Sequence, residues 1–121
     1  GKKGQIVALE ANMRPCGGFT PDMINFAHST NVYKIWADMI AFGDSRMPVG
    51  EHGFCAFAGR RDGKPFLLSH EELVEKYGAS LRMVDRIPDV LAGAMGNQMY
   101  VAVFPTQRAM DKFYSDVLKC K

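Results

Sequence analysis

Cysteine is scarce and oddly numbered in this chain. Cys16, Cys55 and Cys120 are the only three. No CxxC pair occurs and the spacings are wide, which argues against a disulfide framework and for a reducing, cytoplasmic setting. Excess charge of either sign is also lacking. Fifteen Lys and Arg against 13 Asp and Glu leave a net charge of +2, too little to argue for nucleic acid or an anionic membrane as partner. No apolar run approaches the ~20 residues that span a bilayer. No secretory signal is visible at the start. Neither the GxxxxGK loop followed by Ser or Thr nor GxGxxG occurs, so two common phosphate cradles are excluded. There is no internal repeat and no low-complexity segment.

What is present is ordinary globular sequence. At 121 residues, 47% hydrophobic and 23% charged, the chain is expected to form a single domain, 1–121, around one core. It opens on Gly-Lys-Lys-Gly without an initiator Met. That reads as a fragment of something longer, although a trimmed chain would look the same.

Residues 5–13, QIVALEANM, alternate: Val7, Leu9, Ala11 and Met13 on one side, Ala8, Glu10 and Asn12 on the other. This predicts a first strand with one polar face, continued by Arg14 and stopped by Pro15. Gly17-Gly18 allows a turn. Thr20-Pro21-Asp22 starts a short helix to about His28. Asn31 caps a second helix whose stripe is Val32, Ile35, Trp36, Met39 and Ile40, and Gly43 closes it. Residues 53–60 read as a strand, with Asp62-Gly63 a hairpin-type turn. Ser69 and Glu72 form a capping box for a helix through Tyr77, ended by Gly78. Residues 81–86 predict a strand. Residues 99–104 are apolar on both faces and belong in the middle of a sheet. Thr106 caps a final helix with Met110, Phe113, Tyr114, Val117 and Leu118 inward. The fold class is therefore α+β, a mainly antiparallel sheet with helices packed on it.

Glu10, Asn12 and Arg14 raise the functional question. Side chains two apart on a strand project together, roughly 6–7 Å apart at the backbone. A carboxylate and an amide oxygen at that spacing suit a hard cation such as magnesium, whose remaining positions go to phosphate and water. Arg14 could pair with a phosphate or carboxylate. Equally, a half-exposed strand needs polar residues outside. Spacing alone leaves both readings open.

The run ALEANMRPCGGFTPDMINFA, followed by NVYKIWADMI, resembles the C-terminal part of an ATP-grasp domain. E-x-N followed by Arg, the Gly-Gly and D-x-x-N are similar to ligases of the carbamoyl-phosphate-synthase large-chain and biotin-carboxylase type. The likeness covers about the first forty residues; CAFAGRRDG and AMGNQMYVAVFP resemble the C-terminal extension of such ligases more loosely. It implies a division into 1–43, the metal-ligand strand and helices, and 44–121, the extension. It implies an ATP-dependent ligase that activates a carboxylate as an acyl phosphate and joins it to an amine or other nucleophile. Glu10 and Asn12 would ligate Mg²⁺ (or Mn²⁺) on the ATP phosphates. Arg14 would be the catalytic residue, also close to the cofactor. Partners would be ATP and a small carboxylate substrate, with no nucleic acid and no membrane. Cys16 stands where a second proline is expected before Gly-Gly. The lid, the phosphate-binding lysines and the adenine pocket of such a site would all precede Gly1, so the chain is not expected to be active alone. The alternative is a free-standing, non-catalytic interaction or regulatory module. An unpaired edge on the first strand would favour a homodimer.

Other residues carry less. Cys16 sits by a glycine turn near Arg14, and small-residue packing is its simpler role. His52 and Cys55 are too few for a zinc site. His28 suits a helix end, and His70 and Glu71 a solvated first turn. Arg60, Arg61 and Lys64 fit a solvated tip most simply, with a phosphate-facing role left open. The eight methionines read as core filler.

Overall fold

The computed structural model describes residues 4, 6–7, 10–12, 14–48 and 50–121. Among these residues eight elements follow in order. Helices α1 (Thr20–His28) and α2 (Val32–Phe42) come first, then strand β1 (Phe54–Arg60), α3 (His70–Tyr77), β2 (Leu81–Arg86), α4 (Asp89–Met95), β3 (Gln98–Phe104) and α5 (Gln107–Leu118). This is an α+β arrangement on a small antiparallel sheet ordered β1-β3-β2.

β3 is central because it is apolar on both faces. Met99, Tyr100, Val101, Ala102 and Phe104 are all buried, as a strand covered on both sides requires. β1 pairs with it from Phe54 opposite Phe104 to Arg60 opposite Gln98. β2 pairs on the other side, with an irregularity between Leu81 and Met83. One face of the sheet, Ala56, Ala58, Tyr100, Ala102 and Phe104, packs on Leu73 of α3 and on Phe113 and Val117 of α5. The Phe113 ring meets Tyr77 at 5.1 Å and Phe104 at 5.2 Å. On the other face Phe57 stacks on Phe19, just before α1, at 6.1 Å. α4 lies so close to β1 that a Cβ at Gly59 would overlap the Met95 carbonyl.

Local signals explain most helix ends. Ser69 and Glu72 complete a reciprocal capping box on α3, Asn31 accepts from the Lys34 amide at the start of α2, and Thr106 accepts from the Ala109 amide at the start of α5. Gly43 ends α2 at φ 71°, where a side chain would be strained. Thr20 is the first residue of α1 and not its cap; the N-cap is Phe19, which makes no side-chain capping bond.

Three expectations are corrected. Among the described residues of the predicted first strand, Ile6, Val7 and Glu10 to Asn12 form no strand, and Ile6 and Val7 are exposed. Gln5, Ala8, Leu9 and Met13 lie outside the described residues. The alternation is real, but none of these described residues pairs with the sheet. The Asp62-Gly63 turn forms, with Gly63 at φ 78°, yet it is not a hairpin: β1 pairs with distant β3, and the chain beyond the turn runs to α3. Finally, α4 was not expected, since Pro88 precedes it without a side-chain cap and Gly93 interrupts it.

Candidate functional site

Glu10 and Asn12 stand together. The Asn12 side-chain amide donates to Glu10 Oε1 at 2.9 Å, and both residues are exposed. The expected cause was strand alternation; the observed cause is this bond across two residues. It leaves Glu10 Oε2 and Asn12 Oδ1 without hydrogen bonds among the described residues. Two outward oxygens, one anionic and one neutral, are the donor chemistry a hard cation takes. Arg14 does not continue a row. Its guanidinium turns back and donates to the Pro15 carbonyl at 3.1 Å, leaving most of its donor fork unused.

Beside these residues runs an apolar groove of about 530 Å³. Its walls are Pro21 and Ile24 of α1 and Val32, Ile35, Trp36, Met39 and Ile40 of α2; Asn12, Arg14, Pro15 and Cys16 form the polar side. The two helices are tied by Asn25, whose Oδ1 accepts from the Val32 amide at 2.7 Å. α2 keeps its predicted stripe but buries none of it: Trp36 is 42% exposed and Ile40 70%. On the opposite side of α2, Lys34 pairs with Asp38 at 2.8 Å. That ammonium, by hydrogen bond first and with help from Ser45, holds the Asp38 carboxyl below its ordinary range.

The remaining candidates separate. Cys16 is exposed on the groove. Cys55 is half-buried, and burial pushes its thiol up to about 11, so at neutral pH it is neither a nucleophile nor a ready metal ligand. His52 meets another histidine. Its Nδ1 faces Nδ1 of His28 at 2.7 Å, with the rings edge-on at 4.8 Å. One nitrogen must donate and the other accept, so a single proton sits between them. This clasp joins the end of α1 to the loop before β1. Among the described residues no three of His, Cys, Asp or Glu gather as a metal cluster. One residue read as solvated is not: Arg60 is 6% exposed. His70 is exposed as expected, and its Nδ1 also meets the Tyr100 hydroxyl at 2.8 Å.

Set against protein-family models, curated proteins and solved structures, the chain matches none of them. No helix among the described residues is long and apolar enough to cross a membrane.

Proposed function

We propose that the chain is the C-terminal part of an ATP-grasp ligase, contributing magnesium ligands to a site that activates a carboxylate as an acyl phosphate. The observation that carries this reading is the Glu10–Asn12 pair, 2.9 Å apart and facing outward, next to an arginine with spare donors. A magnesium site completed by nucleotide phosphates needs only one or two protein oxygens, so a closed cluster of acidic or histidine ligands is not required. Glu10 and Asn12 would hold the ion, which when bound neutralises charge on the nucleotide phosphates. Glu10 contributes its free carboxylate oxygen and Asn12 its amide oxygen. Their mutual hydrogen bond sets the direction of both. Arg14 swings from the Pro15 carbonyl to orient the carboxylate substrate or its acyl phosphate through its planar fork. The three free thiols accord with a cytoplasmic enzyme.

The test is ADP release by the full gene product carrying Glu10→Gln, measured beside its melting temperature. Loss of turnover with an unchanged melting temperature supports the reading. Normal turnover ends it.

A second reading has its own observation. The unburied stripe on α2 suits an interaction module that works without catalysis. Under this reading the stripe, and not the Glu10–Asn12 pair, is the working surface, and a homodimer is its simplest form.

A further inference from the structure

At the end of the sheet away from the Phe54–Phe104 pair, a second pocket of about 350 Å³ opens beside Arg60, Lys64, Phe66, His70, Arg86 and Tyr100. It shares no residue with the α1–α2 groove. Its floor is unusual. Arg60 is 6% exposed, and burial draws its guanidinium below the ordinary range, although an arginine stays charged. Its Nε donates to the Val117 carbonyl and its Nη1 to the Leu68 carbonyl, both at 2.8 Å. Phe66 covers it at 4.3 Å and the Tyr100 ring lies at 5.8 Å. Nη2 is buried and has no hydrogen-bond partner. Among the described residues no carboxylate forms an ion pair with it.

A buried cation without a counter-charge is costly, and so is an orphaned donor. The walls add to the imbalance. Arg61 and Lys64 also line the pocket, while the one carboxylate among its described lining, Asp62, is already taken by Arg86 through a two-bond pair whose Nη1 contact is 2.8 Å. Arg61 donates to the Gly93 carbonyl at 2.6 Å and the Ala92 carbonyl at 3.4 Å. Lys64 is exposed, and among the described residues its ammonium makes no bond. The pocket is therefore lined by a fixed guanidinium whose buried Nη2 has no partner, an ammonium at the rim that makes no bond among the described residues, and the His70–Tyr100 pair. Planar and point-charge donors that converge on one cavity recognise a phosphoryl group.

We propose that this pocket binds a small ligand through a phosphoryl group, with Arg60 as the buried anchor and Lys64 as the rim contact. The site stands independently of the ATP-grasp reading, since it uses none of Glu10, Asn12 or Arg14. Arg60 is fixed by the fold before the ligand arrives, so little is lost in ordering it. Lys64 supplies attraction that salt screens.

The experiment is amide-resolved NMR of the whole chain at low ionic strength, titrated with inorganic phosphate, phenyl phosphate and acetate. Shifts confined to residues 60–66, 70, 86 and 98–100, with either phosphate, are expected. Tighter binding of phenyl phosphate would identify an ester as the source. Lys64→Gln, on an exposed turn, should weaken binding by roughly two- to fivefold. Arg60→Gln should weaken it by at least about tenfold. Because Arg60 also holds two carbonyls, its variant is read only beside a folded-state spectrum, and Lys64→Gln carries the test if it unfolds. Shifts spread over unrelated lysines, affinity unchanged in Lys64→Gln, or acetate binding as tightly as phosphate would overturn the proposal.

Discussion

Asp116 joins α3 to α5, and its removal should show as a pH-dependent loss of stability. Its carboxylate receives Lys76 Nζ at 2.7 Å, the Tyr77 hydroxyl at 2.7 Å and Lys112 Nζ at 3.4 Å. These donors, Lys76 first, hold the carboxyl down to about 2 from an ordinary 3.8. At about 1.4 kcal/mol per pH unit that difference corresponds to about 2.5 kcal/mol at most. Asp116 is 20% exposed but Lys76 is 43% exposed, so solvent screening reduces the figure to about 1 kcal/mol. The folded carboxyl is the stronger acid. Its contribution is therefore complete above about pH 4 and disappears as pH falls toward 2. Asp116→Asn should lose about 1 kcal/mol at neutral pH, or about 3–5 °C in a domain of this size. The assay is urea unfolding of both proteins at pH 7, 5, 4, 3 and 2. The gap should close across the last two steps. A gap that is constant down to pH 2, or that widens as pH falls, would refute the assignment of the carboxylate to these donors.

Other outcomes follow from the same structure. Gly59→Ala should destabilise by about 1–3 kcal/mol, because the new methyl meets the Met95 backbone and not a flexible side chain; an unchanged urea midpoint would contradict the packing of α4 on β1. Phe113→Ala, at 0% exposure, should cost about 3–5 kcal/mol by the same measurement. Calorimetric titration of these 121 residues with Mg·ATP should give no micromolar binding, and no ATP hydrolysis should accompany it. A micromolar constant would show a far more complete nucleotide site than Glu10, Asn12 and Arg14 supply. Acrylamide should quench Trp36 readily in dilute solution and less at high concentration if the α2 stripe associates; quenching independent of concentration would remove the homodimer.

Legibility followed the range of the interaction. The capping box at Ser69–Glu72, the Asn31 and Thr106 caps and the Gly43 stop each involve partners within a few residues, and each is visible in sequence. β3 was legible because six consecutive apolar residues leave no polar face. The helical stripe of α2 was equally plain, but not that it stays uncovered, since exposure depends on what lies opposite. Arg60 was misread as solvated because its partners, Leu68 and Val117, are 8 and 57 positions away. The His28–His52 clasp spans 24 positions and was invisible for the same reason. α4 escaped because seven residues with an internal glycine and no cap give no local signal. The Glu10–Asn12 proximity was expected, though for the wrong reason.

The central claim concerns those two oxygens, and paramagnetic broadening tests it on this chain directly. Manganese(II), a magnesium substitute, is added at substoichiometric levels to the isotopically labelled protein. Selective broadening of the Glu10, Asn12 and Arg14 amides, abolished by Glu10→Gln, is the predicted result. Broadening that is uniform along the chain, or undiminished in the variant, would contradict the metal-ligand reading.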